Sequence, residues 1–172
     1  DLAAVLRAMA RATGRPLPDG AALARLGADV PVCLDGRPCR MRGIGDRLSP
    51  LPPLPPAWLL LANGGQPVAT AAVFGALQSA AGAPPPPLPP SFRDFGALID
   101  WLIPTRNDLE QAACRIEPGI ATVLAALRGV EGSRLVRMSG SGGTCFAVME
   151  TAEAALGGAE TLRRTHPSWW VA

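Results

Sequence analysis

Three stretches of this sequence set reactive or anion-friendly groups close together along the chain. The first is Leu26-Gly27-Ala28-Asp29-Val30-Pro31. A carboxylate among small and apolar residues, just before a proline, is unusual for a plain solvated charge. It reads in two ways: as a group that takes a hydroxyl proton, or as a cap or turn residue holding backbone N–H groups. The second stretch is Met138-Ser139-Gly140-Ser141-Gly142-Gly143-Thr144-Cys145-Phe146. Neighbouring glycines let backbone N–H groups converge on an anion; the alternative is an ordinary hairpin turn. No Gly-Lys-Ser/Thr follows, so it is not a Walker loop. A strand rather than a helix follows, which argues against a dinucleotide fingerprint. The third stretch runs Ala62-Asn63-Gly64-Gly65-Gln66 and on to Thr70-Ala71-Ala72-Val73-Phe74. There a strand enters a glycine turn and a helix opens, an arrangement that suits an anion. Phe74 either stacks on a planar base or fills a core.

Other chemistries find little support. The four cysteines, Cys33, Cys39, Cys114 and Cys145, form no CxxC pair, and His166 is the only histidine. No metal-ligand set is expected from such spacing, and free thiols in a reducing cytoplasm fit better than disulfides. No apolar run reaches the 18 or so residues of a membrane span. The net charge of +2 and the lack of aromatics interleaved with arginine argue against a nucleic-acid partner. Every basic residue is Arg, in a chain that is also rich in Ala, Gly and Pro; that bias follows composition rather than an anion site.

The elements that must position these groups follow from periodicity. Leu2, Val5, Leu6 and Met9 keep the i, i+3, i+4, i+7 spacing of a helix over 2–12. Asp1 is its expected N-cap, and Gly14, Pro16 and Pro18 end it. A second helix is expected over 19–27, capped by Asp19 and stopped by Gly27. Residues 28–48 read as a hairpin, with Asp35-Gly36 as its turn. Prolines at 50, 52, 53, 55 and 56 make a stiff linker, which places a domain boundary between 1–56 and 57–172. Beyond it the pattern predicts a buried strand at Trp58–Ala62, a helix over 68–80 and a proline-rich connector at 84–90. A short helix at Phe92–Leu102 and a helical stretch over 107–128, restarting at Pro118, come next. Strands at Leu135–Met138 and Thr144–Met149 flank the glycine turn. Thr151 caps a helix to about 164, and Trp169–Val171 is a last strand. This mixture predicts an α+β sandwich on an antiparallel sheet.

Four segments then combine. Gly27-Ala28-Asp29-Val30-Pro31, Thr70-Ala71-Ala72-Val73-Phe74, Arg106-Asn107-Asp108-Leu109-Glu110 and Ser139-Gly140-Ser141-Gly142-Gly143-Thr144-Cys145-Phe146 occur in this order. Order and spacing resemble the 4-diphosphocytidyl-2-C-methylerythritol kinase family, within the GHMP kinases, across essentially the whole chain. The resemblance implies a GHMP kinase C-terminal domain, a ferredoxin-like α/β sandwich, with 1–56 as a remnant of the N-terminal domain. It implies a cytoplasmic, ATP-dependent kinase of the 2-hydroxyl of 4-diphosphocytidyl-2-C-methylerythritol, in the non-mevalonate route to isoprenoids. By the same resemblance Asp29 is catalytic, and Thr70 and Phe74 bind the substrate, with Phe74 against the cytosine. Ser139, Gly140, Ser141, Gly142 and Gly143 support the nucleotide loop and its phosphates. ATP and Mg²⁺ are the implied cofactors, but the family's ATP loop, its Mg²⁺-facing Ser and its active-site Lys are expected ahead of Asp1. The chain is therefore expected to be a C-terminal piece, inactive alone, whose first 48 residues expose apolar surface and promote self-association. The rival readings are another GHMP small-molecule kinase and a non-catalytic ligand-binding α+β module.

Overall fold

The computed structural model describes residues 2–27, 29–43, 45, 47–78, 82 and 84–172. The chain divides into two compact units, Asp1–Pro53 and Leu54–Ala172.

In the first unit, α1 (Leu2–Thr13), α2 (Gly20–Leu26) and α3 (Val30–Asp35) precede a two-stranded hairpin of β1 (Cys39–Arg42) and β2 (Arg47–Pro50). The amphipathic stripe does form α1, and Gly14 leaves it at φ 66°. The expected cap Asp1 lies outside the described residues. Asp19 caps α2 by accepting the Ala22 N–H at 2.7 Å, and Gly27 stands at its C-terminal end.

The expected hairpin over 28–48 is corrected. Residues 30–35 are helix, not strand, because Pro31 sits in the first turn, where its missing N–H costs nothing. Gly36 takes the left-handed conformation at φ 66° and closes that helix, donating its N–H to Val32. The Asp35-Gly36 pair is thus a helix stop, and the hairpin lies one element later, with Cys39 opposite Pro50. The Arg7 guanidinium donates to the carbonyls of Cys33 and Leu34, at 2.9 and 2.7 Å. It places a positive charge on the carbonyl end of α3 and ties α1 to it.

The second unit is a four-stranded sheet of β3 (Trp58–Asn63), β4 (Leu135–Met138), β5 (Thr144–Met149) and β6 (Trp170–Val171). The strand order is β4-β5-β3-β6 and every pair is antiparallel. This is the order of a ferredoxin-like sheet. The helices are α4 (Thr70–Gly75), α5 (Phe95–Leu102), α6 (Glu110–Ile116), α7 (Gly119–Arg128) and α8 (Ala152–Thr165). The helix expected over 68–80 is shorter than the apolar pattern suggested; residues 79 and 80 lie outside the described ones.

Alternation along the strands separates two cores, because successive side chains point to opposite faces. Leu60, Ala62, Val136, Met138, Cys145, Ala147 and Met149 join Val123, Leu127 and Leu162 from α7 and α8 in the larger core. Leu135 and Val148 meet Phe95 and Ile99 of α5 on the opposite face. Gly158 marks where α8 comes closest to the sheet: a Cβ there would stand 2.8 Å from Leu60 and 2.6 Å from Val130. The proline-rich connector is pinned where the Trp101 indole N–H donates to the Pro87 carbonyl at 2.9 Å.

Candidate functional site

The site residues of the second unit collect at one end of the sheet, where β3 leaves and β5 begins. The register pairs Asn63 with Thr144 and Met138 with Cys145, so the end of β3 and the turn between β4 and β5 are neighbours. That turn is 139–143. Three of its glycines, Gly140, Gly142 and Gly143, adopt φ 55°, 115° and 83°, a region that side-chain-bearing residues avoid. At Gly142 a Cβ would also stand 3.1 Å from Ile120 and 3.1 Å from the Met138 sulfur. Conformation and space both demand glycine there.

The turn closes with the Ser139 N–H on the Thr144 carbonyl at 2.9 Å and the Gly142 N–H on the Ser139 carbonyl at 3.1 Å. Among the described residues the N–H groups of Gly140, Ser141 and Gly143 have no protein partner. Unpaired donors in a left-handed glycine turn suit an oxyanion. Asn63 braces the base of the turn: its amide donates to the Thr144 hydroxyl at 3.0 Å, and its oxygen accepts the Gly65 N–H at 2.7 Å. An open cleft of about 380 Å³ borders the turn, lined in part by Asn63, Gln66, Thr122, Gly143 and Trp169.

The structure brings two expected site residues into direct contact. The hydroxyls of Thr70, at the start of α4, and Ser141, in the glycine turn, lie 2.8 Å apart, across a sequence gap of 71. One turn further along α4, Phe74 is 56% exposed, whereas its neighbour Val73 is fully buried. An aromatic ring left outside the core is available to a planar ligand. The core role for Phe74 is thereby excluded.

Asp29 belongs to the first unit and is described within it. It occupies the N-cap position of α3, but its backbone is helical (φ −87°, ψ −9°) and its side chain makes no cap hydrogen bond. The cap reading of the carboxylate therefore fails on geometry. Asp29 is exposed at the N-terminal end of the helix.

Two residues that sequence reasoning left without a role belong to this site. Asn107 donates to the Met138 and Gly140 carbonyls at 2.9 and 2.8 Å. Glu110 accepts the Met138 N–H at 3.1 Å. A polar Asn-Asp-Leu-Glu run just ahead of a helix was the only local signal, and it indicates a turn rather than a partner 31 residues away. Among the described residues no group of three or more His, Cys, Asp and Glu side chains converges as metal ligands.

Known proteins share the sequence and the fold of this chain. Residues 89–167 match the family model described as GHMP kinases C terminal. A 4-diphosphocytidyl-2-C-methyl-D-erythritol kinase of Cereibacter sphaeroides is 49% identical over 175 residues, covering 99% of this chain and 62% of the relative. The enzyme of that name from Paracoccus denitrificans is 49% identical over 172 residues, covering all of this chain and 60% of the relative. The chain thus spans about three fifths of the length of the curated relatives it matches. A crystal structure of 4-(cytidine 5'-diphospho)-2C-methyl-D-erythritol kinase superposes with TM-score 0.73 at 31% identity, covering 98% of this chain and 61% of that one. A homoserine kinase from Cytophaga hutchinsonii shares the fold, with TM-score 0.58 at 18% identity over 83% of this chain.

Proposed function

We propose, on the premise that this chain carries a GHMP kinase C-terminal domain, that it is the C-terminal part of a 4-diphosphocytidyl-2-C-methyl-D-erythritol kinase. The observation that carries the reading is identity of about one half to enzymes of that name over the whole chain. The contact of the glycine turn with Thr70, one helical turn before the exposed Phe74, supports it. In this reading the protein transfers the γ-phosphoryl group of ATP to the 2-hydroxyl of the cytidyl substrate, as a cytoplasmic step towards isoprenoids. Residues 1–56 belong to the kinase's larger N-terminal domain and 57–172 are its C-terminal domain.

Each group has a role that its geometry suits. Phosphoryl transfer needs alignment and neutralised charge more than covalent help. The Asp29 carboxylate, not used as a cap, takes the proton of the attacking hydroxyl. That oxygen forms its bond to the γ-phosphorus while the bond from phosphorus to the ADP oxygen breaks. The free N–H groups of Gly140, Ser141 and Gly143 meet negative charge on the nucleotide loop side. Phe74 offers its exposed face to the cytosine, and Thr70 sits beside it with its hydroxyl on Ser141. An exposed aromatic favours a base-bearing acceptor over a small amino-acid or mevalonate acceptor. The described residues offer no ligand cluster for Mg²⁺. The chain contains no Lys, so a cationic Lys for the transition state must come from outside these 172 residues, and 1–172 alone is expected to be inactive.

Kinase assays on the product of the intact gene test this, with its mass measured alongside. The expected result is turnover of the cytidyl substrate and none of homoserine or mevalonate. The Asp29→Asn variant should lose roughly 10²- to 10⁴-fold in kcat, the usual worth of a positioned base, and keep its melting temperature. Wild-type kcat in that variant, or phosphorylation of homoserine instead, overturns the assignment.

A further inference from the structure

Neither the hydroxyl-to-phosphate chemistry nor the substrate contacts use the Arg106–Glu110 segment. We infer that Asn107, with Glu110, is a positioning residue that sets the direction of the glycine-turn N–H groups. The inference rests on the kinase reading for its kinetic consequence, though not for its geometry.

In a planar trans peptide a carbonyl and the following N–H point in opposite directions. Asn107 spends both amide hydrogens on the turn, one on the Met138 carbonyl at 2.9 Å and one on the Gly140 carbonyl at 2.8 Å. The first bond turns the Ser139 N–H away from Asn107, and that N–H is the one closing the hairpin on Thr144 at 2.9 Å. The second turns the Ser141 N–H away, and that N–H has no protein partner among the described residues. Asn107 therefore holds one donor for structure and leaves the other for a ligand.

The clasp is itself braced. The Asn107 side-chain oxygen accepts the Leu109 N–H at 3.0 Å, which fixes which end of the amide faces the turn. From the other side Glu110 accepts the Met138 N–H at 3.1 Å. The two peptides flanking Met138 are thus held by side chains of one short segment. Ser141 is tied on its hydroxyl side to Thr70 at 2.8 Å. A turn with three left-handed glycines is intrinsically loose, and these bonds select one of its conformations. No other residue could substitute simply: Asp at 107 would set an oxygen against two carbonyl oxygens, and Leu would leave both carbonyls without a donor.

The test uses the intact gene product, with Asn107→Ala and Asn107→Asp compared with Asp108→Ala. Asp108 pairs with Arg106 in the same segment and does not touch the turn. The expected result is that both Asn107 variants raise KM for ATP about tenfold or more, the usual consequence of losing two paired hydrogen bonds. KM for the cytidyl acceptor should stay within about twofold, and Asp108→Ala should match wild type. Amide hydrogen exchange supplies the readout that does not depend on activity. Protection at Ser139 N–H should fall about tenfold in Asn107→Ala, while Leu60 in the central strand β3, paired with Ala147, keeps its protection. If wild type phosphorylates nothing, the kinase reading fails, and exchange at Ser139 alone decides the clasp. Unchanged Ser139 protection in a folded Asn107 variant overturns the inference. So does a rise in both KM values together with general loss of protection, because the residue would then be merely structural. Should Asn107→Ala not fold, Asn107→Asp, which keeps the bond to Leu109, carries the same measurements.

Discussion

The two units of this chain use the same kinds of residue in opposite ways. In Leu54–Ala172 the apolar periodicity of strands and helices ends in closed cores, with Leu60, Val73, Val123, Leu127, Cys145 and Met149 at or near zero exposure. In Asp1–Pro53 only Ala3, Leu23 and Val30 are buried hydrophobics among the described residues. There the stripe that forms α1 stays open, with Leu2, Val5 and Met9 exposed by 42, 51 and 57%. Helix amphipathicity thus specifies a helix, but the partner that covers its face is a separate question. For α1 the partner is not among the described residues, which agrees with the proposal that 1–56 belongs to a larger domain.

The sharpest way to break this contrast is a pair of truncations of large apolar side chains to Ala. Leu60→Ala removes a side chain wedged between β3 and α8, and is expected to cost about 3 kcal/mol, within the range for buried Leu. Met9→Ala removes a side chain already in solvent, and is expected to change stability by less than about 0.5 kcal/mol. Urea titration of the 172-residue chain checks both. Equal effects at the two sites would mean that α1 is covered after all.

A second experiment replaces the open stripe. Changing Leu2, Val5 and Met9 to Ser should lower self-association and binding of a hydrophobic dye by this chain, since adjoining exposed apolar side chains mark a docking face. Sedimentation at rising concentration reads the first and fluorescence the second. A wild-type chain that stays monomeric and binds no dye contradicts the open-face reading.

The fold of the second unit was legible because its signals are local and mutually consistent. An apolar run of strand length gave β3, the segments flanking the glycine turn gave β4 and β5, Thr151 stood where α8 begins, and a helix restart was readable at Pro118. Element order with adjacent strands around a glycine turn was enough for an antiparallel α+β sheet. The first unit was misread where a local signal has two meanings: Asp35-Gly36 starts a hairpin or stops a helix, and the proline at 31 should have decided for the helix. The site was legible as motifs but not as geometry. Nothing near Thr70 announces Ser141, and nothing near Asn107 announces Met138, because each bond joins segments far apart in sequence; Thr70 and Ser141 meet through the register of β3 on β5. Asp29 shows the converse. Its sequence context suggested a cap, and only backbone angles of −87° and −9° exclude one.

Thiol chemistry compares the units from a different side. Cys33 is exposed in the first unit, whereas Cys145 is fully buried in β5. Burial, followed by the nearby Glu110 carboxylate, pushes the Cys145 thiol up to about 12. At pH 8 only about one Cys145 in ten thousand is then a thiolate, the form that reacts. Iodoacetamide at pH 8 should label Cys33 within minutes and leave Cys145 untouched until urea opens the sheet. Early labelling of Cys145 in the native chain would show that the second unit opens as readily as the first.

The smallest expected effect concerns the cap of α5, which lies on the second face of the sheet. Asp94 accepts the Ala97 N–H at 2.8 Å, and this bond, with the Arg93 guanidinium, lowers the Asp94 carboxyl below its usual range. A lowered folded value means that the carboxylate contributes stability above the ordinary Asp range. That contribution is lost as pH falls through the lowered value. Because the pair is open to solvent, salt screens its ionic part, and the hydrogen bond to Ala97 should dominate. Asp94→Asn keeps an oxygen for Ala97 and removes the titration, so its stability should change less between pH 5 and pH 2 than that of wild type. Asp94→Ala should lose the cap at every pH, seen as faster exchange of the Ala97 amide. Because α5 covers Leu135 and Val148 through Phe95 and Ile99, fraying of its first turn should reach those residues before it reaches the larger core. If Leu60 and Ala97 lose protection together, the two faces of the sheet open as one body, and the second unit is a single cooperative block.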